Sequence, residues 1–283
     1  QASSGDYLNA GINQRVVDSI LRVRAQLNLE KIWEHIQSSQ IQVITWADEI
    51  YPALLQQIDQ PPPVLYVRGE YLPEADLAVA VVGTRRVSAY GKQVTEEVAA
   101  ALARNRVTVV SGLARGTDAV AHKMALRAGG RTLAVLGSGV DHIYPPEHRA
   151  LAEEICASGA LLSDYPPGTP PESSNFPPRN RIISGLSLAT VVIEAGETSG
   201  ATITASFAAD QGREVLAVPG NITSPNSIGT NRLIQNGARP LLKPEDILEA
   251  LNLQQVNTRR LARQTLPADA TEAQIFCVMT AGV

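Results

Sequence analysis

The fold is decided by residues 77–86, LAVAVVGTRR, where a short apolar run ends in a turn that carries glycine and arginine. The run 77–82 has no polar side chain, as is typical of a strand buried on both faces of a parallel sheet. Similar runs recur with helix-forming stretches between them, at 107–110, 132–136, 160–162, 190–193 and 214–218. The pattern predicts a doubly wound α/β fold with about six, mostly parallel strands and an edge strand near 240–242.

The flanking segments predict further domains. Residues 12–38 carry apolar side chains at helical spacing, and the prolines at 61–63 lie in the connector to the sheet. The polar stretch 253–267 predicts a linker, and 268–283 resembles the first helix of another small domain. We therefore expect a helical N-terminal domain with its connector at 1–62, a core at 63–252, a linker at 253–267 and the start of a C-terminal domain at 268–283.

The charge of the chain is modest. Among 283 residues, 24 are Lys or Arg and 28 are Asp or Glu, which gives a formal net charge of −4. This balance argues against a uniformly basic surface, but it allows a local basic pocket. Arginine accounts for 20 of the 24 cations, and its planar guanidinium suits bidentate contact with phosphate, although a GC-rich genome would produce the same bias.

The number of cysteines and the length of the apolar runs indicate in which cellular compartment the protein is expected. Cys156 and Cys277 are too few for a disulfide framework and too far apart for a zinc motif, as expected in a reducing environment. No apolar run reaches the roughly 18 residues of a membrane helix, and no signal peptide opens the sequence. We therefore expect a cytoplasmic protein that has no membrane partner.

The loops that follow the predicted strands are rich in glycine, serine and arginine. Because parallel strands send these loops to one edge of the sheet, we expect them to converge on a ligand where the strand order reverses. Helix N-termini at that edge favour anions, which predicts a phosphate site. The alternative is that these residues only form turns and helix caps. The loops lie at 83–86, 111–118, 137–141, 163–168, 194–200 and 219–221.

The motifs of common cofactor and catalytic sites are absent. The first loop lacks the three spaced glycines of a dinucleotide site, and Gly91-Lys92 is followed by Gln93 rather than by the Ser or Thr of an ATP-binding loop. The histidines form no metal-binding pair, and no serine lies in a Gly-flanked nucleophile elbow. Glu194 and Glu197 are the best acid or base candidates, although capping of a helix near Gly200 would also explain them. We expect no cofactor and no metal.

The segment 173–183, SSNFPPRNRII, predicts a helix start with an unusual charge pattern. Residues 173–175 can cap the helix, and proline is tolerated in its first turn. Arg179 and Arg181 place two positive charges near the positive end of the helix dipole, a repulsion that a bound anion would offset. Phe176 beside them suits either base stacking or a core position.

A series of short motifs occurs in a fixed order between residues 51 and 251. They are YP at 51–52, LYVRG at 65–69, VGTR at 82–85, SGLARGTD at 111–118, RNRIISGL at 179–186, SGATITA at 199–205, VPGN at 218–221 and GTNRLIQNGA at 229–238. Each motif is weak alone, but their order and spacing are specific. In these motifs the chain resembles the DNA-processing protein A family, also called DprA or Smf.

The resemblance implies a Rossmann-like core whose basic pocket is made by the Gly-Thr-Arg turn and the Arg-Asn-Arg helix, which correspond here to Arg85, Arg179 and Arg181. It also implies a helical N-terminal domain and a C-terminal winged-helix domain, of which 268–283 would be the beginning. Members of this family bind single-stranded DNA, help to load the RecA recombinase during natural transformation and form homodimers. The expected partners are therefore single-stranded DNA, RecA and a second copy of the chain.

Taken together, the residues and the resemblance predict a non-catalytic DNA-binding site. We expect contacts with DNA from Gly83, Thr84, Arg85, Ser111, Gly112, Arg115, Phe176, Arg179, Asn180 and Arg181. The arginines would hold phosphates, and the amides near Gly112 and Gly137 would add donors. Replacing Arg85 or Arg179 by alanine is expected to weaken single-strand binding by about 1 to 3 kcal/mol and to leave melting nearly unchanged.

Two other functions stay open at this point. The stretch 194–200, EAGETSG, resembles the turn of the lysine-decarboxylase-like enzymes, which cleave nucleoside monophosphates, although Ala195 stands where that motif has glycine. Release of adenine from AMP would identify such an enzyme. A scaffold that binds protein partners would show neither DNA binding nor turnover.

Overall fold

The computed structural model describes residues 2–72 and 77–251, and the chain divides into two compact units between Gln42 and Val43. The described part of the first unit holds the helices α1 (Ser4–Asn9), α2 (Gln14–Gln26) and α3 (Leu29–Ser38). Each helix has a polar N-cap residue whose side-chain oxygen accepts a hydrogen bond from the first turn. The helical spacing at 12–38 corresponds to α2 and α3.

The rest of the described chain alternates strands and helices. The strands are β1 (Ile41–Thr45), β2 (Val64–Gly69), β3 (Ala78–Val82), β4 (Thr108–Ser111), β5 (Thr132–Val135), β6 (Ala160–Ser163), β7 (Ala189–Val192), β8 (Glu214–Ala217) and β9 (Arg239–Pro240). The helices are α4 (Ala53–Gln56), α5 (Ala89–Arg104), α6 (Thr117–Arg127), α7 (Arg149–Ser158), α8 (Phe176–Gly185), α9 (Gly200–Asp210), α10 (Ile228–Gln235) and α11 (Glu245–Ala250). This alternation places a helix after most strands, as a doubly wound fold requires.

The strands of the described residues form one nine-stranded sheet in the order β1-β2-β6-β5-β4-β3-β7-β8-β9. The pairs from β6 through β9 are parallel, whereas β2 runs antiparallel to β6. The predicted doubly wound, mostly parallel fold is therefore confirmed, and the six predicted strands correspond to β3 to β8. The sequence did not predict β2, because only Leu65 and Val67 of this strand are buried and it lacks the continuous apolar run of the central strands.

The two faces of the sheet are covered by separate hydrophobic cores. Alternate side chains of β3 point to opposite faces, so Ala80 packs in one core and Val81 in the other. Ile182 of α8 belongs to the first core, and Leu102 of α5 belongs to the second. Because both faces are covered, all five residues of β3 are buried, which explains the apolar run at 77–82.

The segment that the sequence assigned to an N-terminal connector is part of the sheet unit. Tyr51, Leu55 and Ile58 are buried in the first core. The Tyr51 hydroxyl donates to the Pro62 carbonyl oxygen at 2.7 Å, and burial raises the pKa of Tyr51 to about 12. The compact unit consequently begins at Val43, earlier than the boundary predicted after residue 62.

Several sequence predictions lie outside the described residues. These are the linker at 253–267, the start of a winged-helix domain at 268–283 and Cys277. Within residues 2–72 and 77–251, no helix combines the length and the apolar character that crossing a bilayer would require.

Candidate nucleic-acid interface

The strand order reverses between β3 and β7, in the interior of the sheet. In open α/β sheets, ligands bind at such a switch point, beyond the carboxyl ends of the strands. A cleft of about 480 Å³ lies there, lined by the loop 83–86 after β3, by α8, by the loop 196–199 after β7 and by Asn226. The cleft is thus located where the sequence predicts phosphate-binding loops.

The loop after β3 presents two arginines on a backbone that is fixed by hydrogen bonds. The Thr84 amide donates to the Glu194 carbonyl oxygen at 2.8 Å, and the Arg86 amide donates to the Thr84 hydroxyl at 3.2 Å. Arg85 and Arg86 are exposed. The predicted residues Gly83, Thr84 and Arg85 line the cleft together with Arg86, which the sequence prediction placed in this loop but left out of the site.

Glu194 supports the start of α5. Its side chain is 4% exposed and accepts hydrogen bonds from the Ser88 amide at 2.9 Å and the Ser88 hydroxyl at 2.6 Å. The helix near Gly200 is capped by Ser199 instead. Glu197 forms an ion pair with Arg232 at 3.3 Å. Both carboxylates proposed for acid or base chemistry therefore have structural partners.

The loop after β4 turns Ser111 and Gly112 into the protein, whereas Arg115 in the same loop is exposed. The Ser111 hydroxyl donates to the Val81 carbonyl oxygen at 2.7 Å. The amides of Gly112 and Ala114 donate to the same oxygen of Asp118, at 3.1 and 3.2 Å. Ser111 and Gly112 are both buried, so the hydroxyl and the amide that the sequence assigned to DNA already have internal partners. Asp118, which holds this loop, is missing from the predicted site residues, and its sequence signal is its place at the end of the motif 111–118.

Arg179 is a buried residue at the back of the cleft. It is 4% exposed, and its guanidinium donates to the carbonyl oxygens of Gly112, at 3.0 Å, and Val135. A Cβ on Gly112 would lie 2.8 Å from Arg179 Nη2 and 2.9 Å from Asp118 Oδ2, so the two charged groups meet beside this glycine. Burial lowers the pKa of Arg179 to about 10, and burial also raises the pKa of Asp118, against the attraction of Arg179. Arg179 was predicted to hold a phosphate; in the structure it lines the cleft, but its guanidinium is buried and donates to backbone carbonyl oxygens.

The loops after β3 and β4 touch at Gly116. This residue has φ +74°, which favours glycine, and a Cβ there would lie 2.4 Å from the Thr84 carbonyl oxygen. The Thr84 carbonyl also accepts a hydrogen bond from the Thr117 amide at 3.2 Å. A residue without a side chain is therefore needed where the cationic loop meets the buried network.

Two guanidinium groups lie near the Phe176 ring. The carbon centres of the Arg85 and Arg179 guanidiniums are both 5.8 Å from the centroid of the Phe176 ring, a distance at which cations attract the face of an aromatic ring. Gly137 is buried against this ring, since a Cβ there would lie 2.8 Å from Phe176 Cδ1. The Tyr144 ring is tilted against the Phe176 ring, with the ring centroids 5.7 Å apart. Phe176 is half-buried: it lines the cleft and also packs against the buried Gly137.

Asn180 and Arg181 are neighbours in α8 but face different surroundings. Asn180 lines the cleft, and its side-chain amide donates to the Gly200 carbonyl oxygen at 3.3 Å. Arg181 is not among the described residues that line the cleft. Its guanidinium forms an ion pair with Asp164 at 2.9 Å and donates a hydrogen bond to the Gln60 carbonyl oxygen at 3.0 Å. The predicted cluster of three arginines is thus wrong in one member, because a helix turns successive side chains to different faces.

Arg115 lies beside a small recess next to the cleft. The recess measures about 20 Å³ and is also lined by Arg85, Tyr144 and Phe176. Arg115 is exposed, and its Nε lies 2.6 Å from a carboxylate oxygen of Glu147. The hydrogen bond from Arg115 lowers the pKa of Glu147. The predicted site residue Arg115 is therefore accessible to solvent, but its guanidinium is already paired with the Glu147 carboxylate.

Two histidines, His122 and His148, form part of the protein interior. His122 Nδ1 lies 2.6 Å from the Thr132 hydroxyl, and His148 Nδ1 lies 2.8 Å from the Leu113 carbonyl oxygen. Burial lowers the pKa of His122 to about 3, so the ring is neutral. Across residues 2–72 and 77–251, no cluster of His, Cys, Asp and Glu is suited to hold a metal ion.

Comparisons with known proteins agree with this architecture. The chain is 41% identical to protein Smf of Synechocystis over 263 residues, which cover 92% of this chain and 66% of that protein, so the chain spans just under two thirds of that relative. The X-ray structure of DNA processing protein A from Streptococcus pneumoniae superimposes with a TM-score of 0.78 at 35% identity, covering 88% of this chain and 87% of that chain.

A second solved structure, of DNA processing protein A from Helicobacter pylori, concerns the single-stranded DNA binding mode of that protein. It superimposes with a TM-score of 0.67 at 30% identity and covers 76% of this chain and 98% of that chain. The sequence model of DNA recombination-mediator protein A matches residues 42–252, which include the whole sheet from β2 to β9 and every loop of the cleft. This chain belongs to the DNA recombination-mediator protein A family.

Proposed function

We propose that this protein binds single-stranded DNA in the cleft between the loops that follow β3 and β7. The observation that carries the proposal is the exposure of Arg85 and Arg86 at the mouth of a cleft of about 480 Å³, on a loop fixed by the hydrogen bonds of Thr84. The single-stranded DNA binding mode of the Helicobacter pylori relative supports the same ligand class.

The binding mode follows from the surroundings of each arginine. Arg85 and Arg86 contact backbone phosphates, because both are exposed. Arg179 stays inside the wall, where it holds Gly112 and contributes positive potential to the cleft. Unpaired bases enter beside Phe176, and Asn180 offers polar contacts at the floor. Such binding is independent of sequence and falls steeply with salt.

We further propose a role for the whole protein in DNA recombination and natural transformation. In this proposal the protein protects incoming single strands, passes them to the RecA recombinase and acts as a cytoplasmic homodimer without catalysing a reaction. The structural partners of Glu194 and Glu197 support a non-catalytic cleft. Incubation with AMP is expected to release no adenine.

The test is a salt titration of fluorescence anisotropy with labelled single-stranded and duplex DNA. We expect tighter binding of the single strand, and we expect Arg85→Ala to weaken it by about 1 to 3 kcal/mol and to reduce the slope of log affinity against log salt by about 1. Arg104→Ala is the matched control, since this exposed arginine lies at the opposite end of α5 from the cleft. Equal affinity of the wild type and Arg85→Ala, or release of adenine, would contradict the proposal.

A further inference from the structure

The aromatic surface of the cleft continues beyond Phe176. Tyr144 is 36% exposed, and its ring is tilted by 39° against the Phe176 ring at a centroid distance of 5.7 Å. Arg85 lies over the Phe176 ring, and Arg115 lines the recess that Tyr144 and Phe176 share. An exposed aromatic ring and an exposed cation thus lie next to the proposed DNA site, outside the cleft itself.

This area is a surface and has no room for an enclosed ligand. The recess of about 20 Å³ has room for about one water molecule, whereas a base would need far more. A ligand therefore lies on the outer side of the Tyr144 ring instead of entering between the side chains. An unpaired base fits this surface, because every base presents a flat face that stacks on an aromatic ring, and its phosphate can reach an arginine.

We propose that the single strand leaves the cleft across Phe176 and Tyr144, with one base stacked on the exposed face of Tyr144 and a phosphate at Arg115. This inference rests on the proposed function, which it extends by one exit direction and one nucleotide contact. Continuity with the cleft carries it, since Phe176 lines both the cleft and the recess.

Glu147 limits the affinity of this exit. Its carboxylate lies 2.6 Å from Arg115 Nε, and about half of each side chain is exposed. A phosphate that arrives at Arg115 must displace this carboxylate and also meets its negative charge. Because exposed ion pairs contribute little stability, the exchange is feasible at low energetic cost. Removing the charge of Glu147 should therefore strengthen DNA binding.

The test compares oligothymidines of about 4 and about 16 nucleotides, the limits of common single-strand site sizes. We expect Tyr144→Leu to weaken binding of the long oligonucleotide by about tenfold, the loss of one stacked base, and to leave the short one nearly unchanged. Tyr144→Phe retains the ring and should bind like the wild type. Glu147→Gln should bind the long oligonucleotide up to about fivefold more tightly.

Tyr90→Leu is the matched control. Tyr90 is 50% exposed at the start of α5, and its hydroxyl donates to the Pro219 carbonyl oxygen, so it marks an exit on the side of the 219–227 loop. The proposal would be overturned if Tyr90→Leu lost affinity for the long oligonucleotide and Tyr144→Leu did not. It would also be overturned if the double variant Tyr144→Leu, Arg115→Gln bound the long oligonucleotide as tightly as the wild type. If the wild type binds neither oligonucleotide, the proposed function itself fails. Melting curves of each variant separate these outcomes from misfolding.

Discussion

The loops after β3 and β4 leave the same edge of the sheet, yet most of their polar groups face opposite surroundings, with Arg115 as the exposed exception in the second loop. The first exposes Arg85 and Arg86 to solvent, whereas the second turns Ser111, Gly112 and Asp118 inward. Arg179 belongs to the inward set, although it was expected to bind DNA directly. The difference shows that convergence at one edge locates a site without identifying the groups that are available in it.

The largest expected effect comes from breaking the inward network. Arg179→Ala leaves the Gly112 and Val135 carbonyl oxygens without their donor and removes the positive charge that attracts the buried Asp118, so we expect the free energy of unfolding to fall by about 3 to 5 kcal/mol. This reverses the sequence-based expectation of unchanged melting. Urea unfolding measures the effect, and the double variant Asp118→Ala with Arg179→Ala should lose less than the sum of the single changes. A wild-type midpoint for Arg179→Ala would show that the network carries no stability.

The pH dependence of the free energy of unfolding tests the buried environment of His122. The folded pKa of about 3 lies below the unfolded value near 6.5, so the folded state binds fewer protons. The stabilisation is complete above pH 6.5 and is lost as the pH falls toward 3. Between pH 7 and about pH 5 we expect this group alone to cost about 2 kcal/mol. Unfolding free energies of the wild type and His122→Asn should converge on acidification, and parallel curves would contradict the assignment.

A smaller effect is expected on the far side of α8. Arg181→Ala removes the contacts to Asp164 and to the Gln60 carbonyl, which should lower stability by about 1 to 3 kcal/mol. Affinity for single-stranded DNA should stay within about twofold, because Arg181 does not line the cleft. A loss of DNA affinity as large as that of Arg85→Ala would place Arg181 back in the site. Anisotropy and urea unfolding on the same preparation separate the two outcomes.

The smallest effect on folding is expected at the exposed loop. Arg86→Ala should change the unfolding free energy by less than about 0.5 kcal/mol, since its guanidinium is exposed. Its effect should appear in DNA binding, as a salt slope reduced by about 1. Thermal melting together with the salt titration checks both parts. A clear loss of stability would show that the outward loop also carries the fold.

The sequence predicted the parts of the fold that local pattern determines. Runs such as 77–82 are apolar because both faces of the sheet are covered, so their strands were found. β2 was missed because it lies between β1 and β6 and its burial alternates, and its antiparallel position is defined only by the pairing with β6. The cleft was located by the positions of its loops. The burial of Arg179 was missed, because it depends on Asp118 and Val135, which are distant in sequence.

The contact at Gly116 allows the geometry of the cleft to be changed separately from its electrostatic potential. Any side chain at this position would have to push the Thr84 backbone aside, and Arg85 would move with it relative to the Phe176 ring. Gly116→Ala would leave the charge of the protein unchanged. Gly116 therefore offers protein engineering a means to adjust the geometry of the opening while its electrostatic potential is held constant.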